Sequence, residues 1–231
     1  MDVAPGTVVV YSDIGCPWGS LAVHRLRKQR HKRGLDGAVR IDHRAYPLEL
    51  LNARLTPKNT VESEVAVIGS HEQSLGWQPW RGHERHYPST TLLAMEAVQA
   101  AKADPVGGLR ASEDLDAALR DAWYAQSRSI HLYAEILDVA ASCPSVDEEA
   151  LGAALKSGQA RGDVFAQWEV AQTDAVQGSP HLFLADGFDV HSPGITLSWT
   201  GGEPARLPVI EHDDPSVYDE ILDRAGRHRP S

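Results

Sequence analysis

The alternation of apolar and polar positions changes period along the chain, and the changes mark out elements. Thr7-Val8-Val9-Val10-Tyr11 is an apolar, β-branched run between Pro5-Gly6 and Ser12-Asp13, the pattern of a buried strand. From Pro17 to about Arg33 the pattern turns helical. Pro17 suits the first helical position, where a missing N–H costs nothing, and Gly34 supplies the stop. Val39-Arg40-Ile41-Asp42-His43 alternates and predicts a second strand. Strand, helix and strand in succession make a βαβ unit, hence a parallel pair.

Residues 46–88 carry no clear period. Tyr46-Pro47-Leu48-Glu49-Leu50 leads into a stretch with Trp77, Trp80, His83, His86, Tyr87 and Pro88, read as irregular with some short helix. From Ser89 to about Val176 the pattern is helical throughout. Leu92, Leu93, Met95, Ala97 and Val98 form one stripe, and Gly107-Gly108 breaks the run. Leu115, Leu119, Ala122 and Trp123 form a second stripe, and Ile130, Tyr133, Ile136, Leu137 and Ala140 a third. Ser145-Val146-Asp147-Glu148 has the spacing of a capping box and opens a further helix. A last helix carries Val164, Phe165, Trp168, Val170, Ala171 and Ala175. Strands return at His181-Leu182-Phe183-Leu184 and Phe188-Asp189-Val190-His191, joined by Asp186-Gly187, a hairpin signal. Asp214-Pro215 then starts a helix with Val217, Tyr218, Ile221 and Leu222 on one face.

The order is therefore β-α-β, a helical block, then β-β-α. Neither end closes a sheet alone. Together they predict one four-stranded sheet flanked by helices, an α/β domain formed by residues 1–60 and 177–231, with residues 61–176 as an inserted all-helical subdomain.

Composition narrows the class. Hydrophobic residues make up 42% of the 231 residues and charged residues 23%, the balance of a globular protein with area enough for its own core. The net charge is −10, which disfavours nucleic acid and anionic membranes as partners. Residues 1–33 run against this trend, with Arg25, Arg27, Lys28, Arg30, Lys32 and Arg33 facing only Asp2 and Asp13. Cations at the end of a helix complement its dipole, which is the simplest reading of that cluster. No stretch approaches 18 apolar residues, and the first residues lack the basic and apolar pattern of a secretory leader. A cytoplasmic location with reduced thiols is expected.

Two cysteines, Cys16 and Cys143, are too few for a disulfide framework. Cys16 stands between a buried strand and a proline-initiated helix. Free N–H groups and the helix dipole favour a thiolate there, so a lowered pKa is expected. Ser12-Asp13-Ile14-Gly15-Cys16-Pro17-Trp18, Tyr46-Pro47-Leu48-Glu49-Leu50 and Val176-Gln177-Gly178-Ser179-Pro180-His181-Leu182-Phe183-Leu184 carry, in that order, a resemblance to the DsbA-like branch of the thioredoxin superfamily. Within that branch the chain is similar to the cytoplasmic FrnE-type members, and the resemblance covers about residues 10–225. It implies a thioredoxin-like fold in which the helical block is an insertion. It also implies that Ser179-Pro180 is the substrate-facing cis-proline loop, with His181 beside it. Kappa-class glutathione transferases and 2-hydroxychromene-2-carboxylate isomerases share the architecture.

One departure matters. The family centre is Cys-x-x-Cys, and here Cys16-Pro17-Trp18-Gly19 has glycine in the place of the second thiol. Three uses of Cys16 stay open: exchange with a disulfide and release by a small thiol, activation of a thiol cofactor for transfer or isomerisation, and ligand binding without turnover. The resemblance favours the first. It makes Cys16 the nucleophile, with Pro17, Trp18, Gly19, Ser179, Pro180 and His181 around the substrate, and a disulfide-containing or small thiol partner such as glutathione or another low-molecular-weight thiol. No covalently bound cofactor is expected. The oligomeric state stays open, with a dimer as one option.

The other candidates are weaker. His83 and His86 have the spacing of two metal ligands, with His43 or His71 as a third, but no recognised pattern connects them, and no metal is expected. Trp77 and Trp80 suit an apolar pocket between the helices and the sheet. Glu62, Glu64, Glu148 and Glu149 read as solvated faces or helix starts. Ser12 and Ser198 lack the His and Asp partners of a hydrolase.

Overall fold

The computed structural model describes residues 1–202 and 206–227; residues 203–205 and 228–231 of the second α/β segment lie outside the described residues. The chain opens with β1 (Thr7–Ser12), α1 (Pro17–Lys32) and β2 (Arg40–Ala45). Helices α2 (Leu48–Leu51), α3 (Lys58–His71), α4 (Leu92–Ala100), α5 (Gly108–Tyr124), α6 (Tyr133–Ala141), α7 (Glu148–Ser157) and α8 (Arg161–Ala171) follow. Then come β3 (His181–Phe183), β4 (Asp189–His191), β5 (Ile195–Thr200), β6 (Leu207–Asp213) and α9 (Val217–Arg227).

The main sheet has the order β2-β1-β3-β4. β1 runs parallel to β2 and antiparallel to β3, and β3 and β4 form the expected hairpin. Alternation along β1 splits the core. Val8 and Val10, with Leu182 of β3, face Ala22 and Leu26 of α1 and Ile221 and Leu222 of α9. Val9 and Tyr11, with Phe183, face the opposite way. The helices between β2 and β3 share one large apolar cluster containing Leu115, Leu119, Ile130 and Ile136, and α4, α5 and α8 of that block pack against β2. This is a thioredoxin-like fold with an inserted all-helical subdomain.

Gly34 ends α1 at φ +65°, where a side chain would be strained. Five of the six basic residues near the start of the chain are held in ion pairs rather than presented as a patch. Arg25 meets Glu72 and Asp213, Lys28 meets Glu72, and Arg27 meets Glu113 and Asp114. Arg30 meets Asp36 and Glu113, and Arg33 meets Asp219 and Asp223. The cluster stitches α1 to α5, α9 and β6.

Three local expectations change. Residues 58–71, read as mostly irregular, form a four-turn helix that buries Val61, Val65 and Ile68. That apolar stripe is one residue wide, so it was lost among polar neighbours. The hairpin β5–β6 was not foreseen. Its strands are half-exposed, and β6 carries a proline, Pro208, as its second residue. It is held by Ile195, packed on the helical core, and by a bidentate Arg25–Asp213 pair at 2.7 and 2.9 Å. The cap of α7 is Asp147, which accepts from Ala150 N–H at 2.9 Å, while Ser145 donates to Asp114 instead. Among the described residues, no helix is long and apolar enough to cross a membrane.

Candidate active site

Cys16 is the residue before α1 and has extended geometry, with φ −95° and ψ 109°. Its sulfur takes the place of the usual capping oxygen and accepts from Gly19 N–H at 3.3 Å. Pro17 opens the helix and fixes the direction of the Cys16 side chain. The thiol in turn donates to the Ser179 carbonyl oxygen at 3.3 Å. The Ser179–Pro180 peptide is cis, as the resemblance implied. Two segments more than 160 positions apart therefore meet at one sulfur.

Asp13 joins the three motif stretches. Its N–H donates to Ser179 Oγ at 3.0 Å. One carboxylate oxygen accepts from Gly15 N–H at 2.7 Å, and the other accepts from Leu48 N–H at 2.8 Å. Burial pushes the Asp13 carboxyl up, against these hydrogen bonds.

Helix α5 pins the same turn from below. Arg120 is buried and donates to five acceptors: the Asp13 carbonyl, Ser12 Oγ, Ser20 Oγ and both carboxylate oxygens of Asp116. All five guanidinium N–H groups are used. Tyr124 Oη donates to the Ile14 carbonyl at 2.8 Å. His43, considered above as a metal ligand, lies in this network with Nδ1 3.5 Å from Asp116. Burial holds its imidazole below the usual histidine range. The polar network of α5 was not recognised in the sequence. Its signal was the Asp116/Arg120 pair at i, i+4, set in an otherwise apolar helix face.

The electrostatics reverse one expectation. The Cys16 thiol is pushed up to about 11, not down. It is only 8% exposed, and desolvation of a thiolate outweighs the hydrogen bonds from Ser179 and Gly19. Glu64 adds to the upward push through its charge. Glu64 is itself a correction: it is not a solvated face but 8% exposed on α3, and burial raises its carboxyl to about 7. Trp18 packs on the helical core beside it, with its indole N–H buried.

Cys16, Pro17, Gly19, Ser179 and Pro180 converge, with Trp18 on the helix side. His181 does not join them. It pairs with Tyr11 across the sheet and lies on the face away from α1. Its Nδ1 accepts from Gln177 N–H at 3.1 Å and its Nε2 lies 2.9 Å from Asp189. A cleft of about 520 Å³ on that face is lined by Tyr11, Arg44, His181 and Asp189, not by Cys16. Trp77 lines a cleft of about 160 Å³ between α1 and α5, and Trp80 only a small crevice beside Val61 and Tyr87. Trp77 is buried on Tyr124 at 4.9 Å, and Trp80 donates to the His83 carbonyl. Cys143 is free and buried, and donates to the Val139 carbonyl of α6. Among the described residues no cluster of three or more metal-ligating side chains occurs.

Residues 7–203 match the DSBA-like thioredoxin domain. The chain belongs to the DsbA-like thioredoxin family. No curated relative matches this DsbA-like chain. Its fold is similar to that of the probable DsbA oxidoreductase SCO1869 from Streptomyces coelicolor, at 21% identity and TM-score 0.64, over 97% of this chain and 92% of that one. The cytosolic disulfide reductase DsbM from Pseudomonas aeruginosa is 15% identical with TM-score 0.51, over 96% and 98%. At these identities the likenesses concern the DsbA-like fold.

Proposed function

We propose that the protein is a thiol–disulfide oxidoreductase of monothiol type, acting with a low-molecular-weight thiol. The observation that carries this is the contact of Cys16 with the cis-proline loop at a helix start whose next candidate thiol position is Gly19. The Cys16 thiolate attacks one sulfur of a disulfide. A Cys16 mixed disulfide forms and the other sulfur leaves as a thiolate. A second small thiolate then attacks the sulfur attached to Cys16 and regenerates the Cys16 thiolate. The incoming thiol is oxidised, and the original disulfide is reduced.

The high thiol pKa shapes this cycle. A basic thiolate is scarce at neutral pH but strongly nucleophilic, and it is a poor leaving group. The mixed disulfide is therefore formed slowly and held long. Glutathione is the natural first probe; a second structure of the P. aeruginosa DsbM contains GSH. A reducing compartment such as the cytoplasm suits a protein with two free thiols. The test is mass spectrometry of a Cys143→Ser variant incubated with glutathione disulfide. An adduct at Cys16 that excess reduced thiol clears supports the reading. No adduct, or an adduct that thiol cannot clear, overturns it.

A further inference from the structure

The cleft of about 160 Å³ between α1 and α5 is closed on a third side by Leu75 and Trp77, from the segment after α3. The fold sets that wall. Gln78 N–H donates to the Tyr124 carbonyl at 3.1 Å, and a Cβ on residue 69 of α3 would collide with the Trp77 carbonyl oxygen. Glycine at 69 is what lets the two segments close. An apolar cavity of about 150 Å³ takes one benzene ring, so the cleft has room for a single-ring molecule.

The lining says which kind of ring. Val23, Leu75, Trp77 and Ala117 supply apolar surface. Two arginines also border the cleft, and both are already engaged. Arg27 is held by Glu113 and Asp114, and Arg120 has spent all its donors on Asp116 and the active-site turn. Asp121 is exposed and accepts from Gln126 at 2.6 Å. No buried, unpaired charge therefore selects an ion. One polar atom is left over. His24 Nε2 is buried and has no hydrogen-bond partner. Glu72 lies 3.7 Å from it, too far for a bond, and the same carboxylate oxygen accepts from Lys28 at 2.9 Å. Burial holds His24 below the usual histidine range, so its ring is uncharged at neutral pH. A buried polar atom costs free energy until it is paired. A hydroxyl both donates and accepts, so it satisfies Nε2 in either tautomer.

The cleft is also tied to the turn that carries Cys16. Ser20 Oγ, in the lining, donates to the Ile14 carbonyl at 3.4 Å and accepts from Arg120 at 2.7 Å. Arg120 reaches the Asp13 carbonyl at 3.1 Å. Trp77 packs on Tyr124, whose hydroxyl holds the same Ile14 carbonyl. We propose that this cleft is an effector site for a neutral phenol-like compound, with its ring on Leu75 and Trp77 and its hydroxyl paired with His24. Occupancy braces Ser20, Arg120 and Trp77 and so restrains the opening of the turn that exposes Cys16. The site lies outside the exchange reaction and does not depend on which thiol takes part in it.

Phenol is the probe, and the sample is the full native chain. Binding is followed through the amide NMR shifts of Val23, Leu75 and Trp77 against phenol concentration. Saturable shifts with a Kd on the order of 1 mM are expected for a ligand of this size. Ala117→Leu, at a half-buried position, fills the cleft and abolishes them. His24→Leu removes the partner of the hydroxyl and weakens phenol about 3- to 10-fold without weakening benzene. Alkylation of Cys16 by iodoacetamide at pH 8 is read in parallel by peptide mass spectrometry. Because opening of the turn undoes the cleft, phenol at roughly ten times its Kd slows alkylation by up to about 10-fold, and it has no effect in Ala117→Leu. Shifts that do not saturate, or that persist in Ala117→Leu, overturn the site. Equal phenol affinity in His24→Leu and the native chain overturns the role of the hydroxyl. An unchanged alkylation rate in saturating phenol overturns the coupling to Cys16. If Ala117→Leu does not fold, the contrast between phenol and benzene in His24→Leu decides the site. None of these readouts uses glutathione, so failure here is distinct from failure of the monothiol reading.

Discussion

Arg120 of α5 donates to the main-chain carbonyl of Asp13, the residue whose own N–H holds Ser179. One cation in the inserted helices thus fixes the turn that presents Cys16 and, through it, the cis-proline loop. The turn that carries Cys16 is joined by hydrogen bonds to Leu48, Ser179 and Arg120, from three other parts of the chain. The buried Asp116 carboxylate completes the arrangement: it is held below the usual carboxylate range by Arg120 and His43 despite its burial.

Arg120→Met is expected to lower stability by about 3–5 kcal/mol, because it leaves the Asp116 carboxylate buried without its cation. Urea unfolding at pH 7 measures this. A double change, Arg120→Met with Asp116→Leu, should recover part of the loss, since replacing both charges by apolar groups removes the stranded carboxylate. Equal losses in the single and double variants would show that Arg120 acts through its bonds to Ser12, Asp13 and Ser20 rather than through the charge pair.

Tyr124→Phe keeps the ring packed on Trp77 and Trp123 and removes only the bond to the Ile14 carbonyl. The expected cost is about 1–2 kcal/mol. Local opening at Gly15 and Cys16 should increase, seen as faster amide exchange there than at Val8 and Val10. Uniform exchange across both segments would contradict a local role.

The raised Cys16 pKa makes stability fall with alkali. The folded thiol at about 11 holds its proton more tightly than an ordinary cysteine near 9. Between these values the folded state binds more protons than the unfolded one, so stability is lost as pH rises. The full loss above pH 11 is roughly 3 kcal/mol. Other groups titrate in the same range, so the measurement is the difference between the native protein and Cys16→Ala. That difference should be flat from pH 6 to 8 and shift in favour of Cys16→Ala from pH 9 upward. A difference that stays flat to pH 11 contradicts the burial argument.

Much of this was legible in the sequence because the signals were local. Thr7–Tyr11, Pro17 and Gly34 each announce one element by their own chemistry, and the sheet follows from combining the two chain ends. What was not legible depends on distant partners. Pro17 directly after Cys16 suggests a helix-start thiolate, but only the burial of Cys16 in the fold shows that desolvation wins. His181 follows Pro180 directly, yet strand alternation turns it to the other face, where Asp189 holds it. Glu64 follows Glu62 and Ser63 on α3, so its sequence context looks solvated on that side. Burial of a single carboxyl is decided by which turn of α3 meets α1, which no local pattern encodes.

Glu64→Gln tests that burial in two independent ways. The carboxyl titrates near 7 in the folded protein and near 4.5 when exposed. The folded state therefore binds more protons between pH 4.5 and 7, and stability falls as pH rises through this window. Glutamine cannot ionise and escapes the loss. The variant should match the native protein at pH 4 and exceed its stability at pH 8 by up to roughly 3 kcal/mol, measured by urea unfolding at both values. The charge also reaches Cys16. An ionised Glu64 opposes the thiolate, so Glu64→Gln should lower the Cys16 titration midpoint and speed alkylation at pH 8. A stability gain without faster alkylation would mean that Glu64 is buried but too well screened to act on the thiol. Faster alkylation without a pH-dependent gain would mean that the substitution merely opens the site. Only both changes together fit a buried carboxylate that opposes the Cys16 thiolate at neutral pH.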